Sequence, residues 1–253
     1  MRKIILLFFI FIISVYQVKS QVLITLIFGD KLNSDKLEFG LEGGGNFSKI
    51  SGFESTKFLK DWNLGFYFDV NIKEGKPWNF YTGVLVKSKM GLGNLTVNDI
   101  LNLKADTLQE PGTYSQKINY FMVPFLIKYK FNPHIYLEVG PQFSLMYKAF
   151  VEYDADVDGK TAVIRDFNTE LFRRVDAGIM IGTGYRFKGR TGWTVGVKYY
   201  YGFTDVLKDV SGTKNQSVYL KVNIPIGRSE KAQQKRKERA EKRAAKKAAR
   251  KAK

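Results

Sequence analysis

Asp154, Asp156 and Asp158 alternate along the chain and are followed at once by Gly159. Alternate carboxylates can converge on one hard cation, and a glycine after the third permits the sharp turn of a calcium loop. The spacing therefore marks Asp154, Asp156 and Asp158 as candidate calcium ligands. The twelfth position of such a loop is Arg165 and not a bidentate glutamate. Glu152, Asp166 or Glu170 would then have to complete a non-standard site, and the competing reading is a plain acidic outer loop. His134, the single histidine, follows Pro133 in a candidate turn. With no Ser or Asp partner at a shared site, it reads as a solvated turn residue and not a general base. The absence of cysteine removes disulfide scaffolds, thiolate zinc sites and cysteine nucleophiles. No catalytic constellation can be assembled, so no enzyme is expected. Calcium is the one cofactor the residues suggest.

A larger set of ionisable residues sits at every second position of apolar stretches. In 175–187, Val175, Ala177, Ile179, Ile181, Thr183, Tyr185 and Phe187 alternate with Asp176, Gly178, Met180, Gly182, Gly184 and Arg186. Period two is the signature of a strand. The same alternation runs through 37–47, 62–72, 78–87, 120–131, 135–147, 193–203 and 218–226. Eight segments of this length suit tilted strands that cross a bilayer. Short connections at 73–77, 132–134 and 188–192 alternate with long ones at 48–61, 89–118, 148–174 and 204–217. Outer membrane barrels have this asymmetry, with short periplasmic turns and long outer loops. The expected fold is all-β, an eight-stranded antiparallel transmembrane β-barrel over 37–227. A soluble lipocalin-like binder is the alternative, and it would turn the apolar faces inward.

If the apolar faces meet lipid, the lumen holds Glu38, Glu42, Asp69, Glu138 and Asp176. It also receives Lys87, Lys128, Lys130, Arg174, Arg186, Lys198 and Lys221. An eight-stranded barrel has room only for side chains, and an unpaired buried charge is costly. These residues are expected to form a paired charge network that fills the lumen. The basic excess of the set leaves a small anionic guest as an alternative function.

The chain ends carry separate signals. Arg2 and Lys3 precede the apolar run Ile4–Ile13, which is too short to span a bilayer as a helix and fits a signal peptide. Cleavage is expected after Ser20, leaving 21–36 as a periplasmic lead-in. The chain has a net charge of +17, but residues 228–253 contribute +10 of it. The basicity is mostly a tail and not a nucleic-acid-binding fold. An even strand count places the tail in the periplasm, where anionic peptidoglycan or lipid headgroups are its expected partners. Nucleic acid is not an expected partner in the cell. Loops 89–118 and 148–174 are the expected meeting points for protein partners. The function read from the sequence is structural or interactive, at the outer membrane.

Four segments carry a resemblance. Phe39-Gly-Leu-Glu-Gly-Gly-Gly-Asn-Phe47, Ile118-Asn-Tyr-Phe-Met-Val-Pro-Phe-Leu-Ile-Lys-Tyr129, Gly182-Thr-Gly-Tyr-Arg-Phe187 and Lys198-Tyr-Tyr-Tyr-Gly-Phe-Thr-Asp-Val206 occur in order. Together they resemble the PorT-like outer membrane β-barrel family of Bacteroidetes-type bacteria. The resemblance spans about 37–227 and implies an eight-stranded outer membrane barrel with no catalytic residues. The basic tail departs from that pattern, since such barrels usually end near the last strand.

Overall fold

A computed structural model of the chain describes residues 36–108, 112–157, 160–187 and 192–226. The expected signal peptide, nearly all of the 21–36 lead-in, Asp158 and the 228–253 tail lie outside the described residues.

Nine strands form one sheet: β1 (Leu37–Ile50), β2 (Leu59–Asn71), β3 (Trp78–Leu92), β4 (Thr113–Lys130), β5 (Ile135–Val157), β6 (Lys160–Phe167), β7 (Val175–Arg186), β8 (Thr194–Gly202) and β9 (Asn215–Pro225). Every pairing is antiparallel. Eight of the strands close into a ring: β1 pairs β2, β2 pairs β3, β3 pairs β4, β4 pairs β5, and β5 pairs β7. The ring continues through β8 to β9, and β9 returns to β1 from Gly40↔Pro225 to Ile50↔Asn215. β6 stands outside the ring and pairs only with the far end of β5. A helical turn, α1 (Val97–Asn102), lies between β3 and β4.

The strand faces settle which side meets lipid. Leu64, Val84, Phe125, Ile127, Leu137, Val139, Ile181, Val197 and Leu220 are exposed on the outside. The residues between them along each strand are buried inside. Trp78, Tyr129, Phe131, Tyr185, Phe187 and Trp193 ring the turn end of this apolar belt. Trp62, Phe121, Tyr147, Tyr201 and Phe203 ring the loop end. An apolar band between two aromatic girdles is the exterior of a membrane barrel. A lipocalin-like arrangement would require the opposite orientation of every strand.

Two expected loops are in large part strand. β3 runs to Leu92 and β4 begins at Thr113, so the 89–118 loop shrinks to 93–112. β5 continues to Val157 and folds back as β6, so 148–174 is mainly a hairpin. The cause is a pair of β-bulges. In β3, Leu85 faces Met122 and Ser88 faces Tyr120, so three steps on β3 match two on β4. In β5, Asn119 faces Lys148 while Tyr120 faces Met146, which leaves Tyr147 as the extra residue. An inserted residue reverses which parity points inward. Beyond Tyr147, Ala149, Val151, Tyr153 and Ala155 are buried, and Phe150 and Glu152 between them are covered as well. A period-two pattern followed from below ends at such a bulge although the strand does not.

The loop end is closed by apolar packing. Ile50, Leu92, Leu95, Ile100, Leu103, Ile118, Phe172, Val206 and Leu207 are all buried there. Asp99 anchors this lid. Its carboxylate accepts from the backbone N–H groups of Glu54 at 2.9 Å and Ser55 at 3.0 Å, and from Thr96 N–H at 3.1 Å in a capping box. One buried carboxylate thus ties the β1–β2 loop to the N-terminus of α1.

Candidate functional site

The lumen is the densest polar cluster of the described residues, and inward-facing strand positions build it. At the turn end, Arg186 of β7 grips Glu38 of β1 with both terminal nitrogens, each 2.7 Å from a carboxylate oxygen. Tyr67 donates its hydroxyl to the same carboxylate at 2.7 Å. One layer further in, Lys128 Nζ lies 2.8 Å from Asp69 Oδ2 and 3.5 Å from Glu138 Oε2. Asn79 also donates to Asp69. Lys221 pairs with Glu138, and Lys198 pairs with Glu42, which also accepts from the Tyr81 hydroxyl.

Tyr81 sits at the centre of this layer. Lys128, Lys221 and Lys198 approach its ring at 4.1, 4.2 and 5.5 Å from the centroid. Lys128 also lies 4.5 Å from the Tyr136 centroid. The ring faces thus share the positive charge of ammonium groups already bound to carboxylates. Small residues make the space: a Cβ at Gly40 would stand 2.5 Å from the Tyr67 ring, and one at Gly184 would stand 2.3 Å from the Tyr136 hydroxyl. Above the ionic layers, Tyr219 points its hydroxyl at the sulfurs of Met90 and Met122, 3.3 and 3.5 Å away. Asp176 then accepts from Thr204 Oγ1 at 2.7 Å, Tyr200 at 2.9 Å and Asn215 at 3.1 Å. No Lys or Arg bridges Asp176 among the described residues.

Three expected members of this cluster sit differently. Arg174 is exposed, because β7 begins only at Val175 and the inward parity does not reach back to it. Lys87 is exposed, because the β3 bulge turns it outward, with Nζ 4.3 Å above the Trp62 ring. Lys130, at the end of β4, is half-buried. The fully enclosed set is therefore Glu38, Glu42, Asp69, Glu138 and Asp176 with Lys128, Arg186, Lys198 and Lys221. Its carboxylates outnumber its cations, so the basic excess expected inside is not there. A cavity of about 10 Å³ at the turn end, lined by Lys128, Lys130, His134, Tyr136 and Arg186, has room for about one water. His134 Nδ1 lies 2.8 Å from the Arg186 carbonyl, and its ring stacks on Tyr185.

Of the candidate calcium ligands, Asp154 and Asp156 lie on β5, and Asp158 lies outside the described residues. Asp154 pairs with Thr113 and Val163, and Asp156 with Thr161. Along a strand, alternate residues lie about 7 Å apart. Among the described residues no three acidic or histidine side chains gather as a metal cluster. Glu152 is engaged elsewhere, between Lys117 and Arg165 Nε, the latter at 2.7 Å. Burial raises its carboxyl pKa, but those two cations outweigh burial and hold the group below its ordinary value.

One cluster lay hidden in the sequence. Lys89, Asn119 and Lys148 form a single cross-strand row on β3, β4 and β5, because the two bulges bring them into register. A scan for paired bulges between long strands is the only sequence signal that would have found it.

Residues 28–208 match the family model described as outer membrane protein beta-barrel domain. No curated protein matches the chain. Several solved barrels are similar in fold. Ail, the attachment invasion locus protein of Yersinia pestis, solved with the heparin analogue sucrose octasulfate, is 13% identical with a TM-score of 0.38. That match covers 76% of this chain and 98% of Ail. Neisserial surface protein A is 10% identical with a TM-score of 0.36, covering 74% of this chain and 96% of its own. OprG of Pseudomonas aeruginosa is 11% identical with a TM-score of 0.34, covering 78% and 97%.

Proposed function

Because the chain belongs to the outer membrane protein beta-barrel domain family, we propose that it serves as a closed barrel platform, fixed in the outer membrane. Its long-loop end meets protein partners or surface ligands, and its basic 228–253 tail meets peptidoglycan or anionic headgroups in the periplasm. The observation that carries this reading is the filled lumen. Ion pairs occupy its turn-end half, and an apolar lid shuts its loop end. A barrel plugged in this way offers no aqueous path, so its working surfaces are its ends. The long β3–β6 wall supports a partner-binding role, because β5 alone has 23 residues where a tilted crossing needs about 9–11.

Within the family, the four ordered segments support a PorT-like affiliation. The N-terminal apolar run supports export with cleavage after Ser20. No catalytic role is proposed. Calcium at Asp154, Asp156 and Asp158 is tested by calorimetry with millimolar calcium.

The platform reading is tested in two steps. Reconstituted protein in a planar bilayer should give no steady conductance. Crosslinked partners from intact cells should disappear when residues 151–166 are removed from an otherwise folded barrel. Steady ion-selective steps, or partner capture unaffected by the deletion, would overturn it.

A further inference from the structure

The outward face of β2–β5 changes character at the loop end of the apolar belt. Phe121 and Tyr147 pack there with tilted rings, centroids 4.8 Å apart, and Leu145 and Phe143 continue the apolar surface below them. Directly above lies the row Lys89, Asn119, Lys148, running straight across three hydrogen-bonded strands. Adjacent strands are about 4.8 Å apart, so the two lysine backbones stand about 10 Å apart with the Asn119 amide between them.

The state of these groups points to a ligand. Lys148 is exposed, and its Nζ rests 4.3 Å from the Phe167 ring. Lys87, one step lower on β3, is exposed over Trp62. Lys60 is exposed on β2. None of these three forms a salt bridge among the described residues, whereas Lys89 is bound to Asp61 at 2.9 Å. Asn119 Oδ1 is buried with no hydrogen-bond partner. Unpaired cations, an unsatisfied amide and an apolar lane thus meet at one level of a membrane barrel. Lysines at that level lie where lipid headgroups are, with their ammonium groups over aromatic rings.

We propose that this face binds the phosphorylated headgroup of a membrane lipid. Lys87 on the Trp62 side and Lys148 on the Phe167 side flank the row, and each neutralises one phosphate of the headgroup; Asn119 Oδ1 accepts from a headgroup N–H or O–H, and the acyl chains lie along Phe121, Phe143 and Leu145.

The test is native mass spectrometry of the full-length protein in detergent micelles doped with diphosphoryl lipid A. The wild-type protein should retain the lipid through detergent removal. K87Q/K148Q should bind about tenfold or more weakly, since each lysine near a charged headgroup contributes about 1 kcal/mol. K87R/K148R should retain it. N119L leaves every charge in place and should still weaken binding severalfold, which keeps the test decisive if the double variant fails to fold. The turn-end control K73Q/K76Q should bind as wild type does. Equal binding by K87Q/K148Q, equal loss in K73Q/K76Q, or equal retention of the dephosphorylated glycolipid would each overturn the proposal. Displacement of the lipid by an equal concentration of inorganic phosphate would also overturn it, by making free phosphate the ligand.

Discussion

Val197 and Lys198 are neighbours on β8 in opposite surroundings. Val197 is 40% exposed on the outer face, while Lys198 is 1% exposed and bound to Glu42. Val197→Arg should cost about 2–4 kcal/mol by placing a charge in lipid. Lys198→Ala should cost as much or more, about 3–5 kcal/mol, because Glu42 is left buried without its cation. Denaturant titration followed by the heat-modifiable gel shift measures both. The double variant E42Q/K198M should be closer to wild type than K198A, since both charges leave together. A double variant that loses as much as both singles combined would refute the pairing. Gly184→Ala should cost about 1–3 kcal/mol by overpacking against Tyr136, and the same titration reads it. Glu152 gives a pH dependence at the hairpin. Its carboxyl is held below its ordinary 4.5, so the folded state binds that proton less readily than the unfolded one. The resulting stability is present above pH 4.5 and is lost as pH falls through the lower folded value. Thermal midpoints should therefore drop more steeply in acid for wild type than for E152Q. Parallel curves would show that Lys117 and Arg165 contribute nothing through this group.

At the scale of elements, the bulges at Val86–Lys87 and at Tyr147 decide how the loop-end wall is built. They flank β4 near Tyr120 and Phe121, where the apolar belt gives way to cations. Each bulge bends its strand and raises the local twist. Removing Tyr147 would restore one continuous parity through β5. Ala149, Val151 and Tyr153 would then face outward, and Lys148, Phe150 and Glu152 inward. Such a deletion should leave a barrel that still shifts on heating but whose hairpin is cut rapidly by protease. A protease-resistant hairpin in that variant would show that the bulge is dispensable. The lower halves of β3, β4 and β5 were legible from their alternation. Their upper halves were not, because Lys87 and Lys148 break the count that a reader follows along the chain.

At the scale of the barrel, closure joins β1 to β9, so each ring strand has a hydrogen-bonded neighbour on both sides. Among the described residues, β6 is the strand paired on one side alone, beyond the apolar belt. Protease added to intact cells should therefore cut within 93–112 and near the β5–β6 tip, and should spare the turns at 72–77 and 131–134. Cleavage at those turns in intact cells would reverse the proposed orientation.

Some of this was determined by the sequence alone. Strand existence, the eightfold count, the membrane-facing faces and most of the lumen charge set follow from alternation, because a strand projects successive side chains to opposite sides. Lys128, Arg186, Lys198 and Lys221 were placed inside from parity alone. Only the closed sheet decided the rest. Lys198 meets Glu42 and not Glu138 or Asp176 because register across the β1–β9 seam sets which strands share a layer. Arg174 and Lys87 left the lumen because a strand end and a bulge are properties of pairing between strands. The row of Lys89, Asn119 and Lys148 spans 60 positions of sequence and becomes one surface only when three strands lock into register.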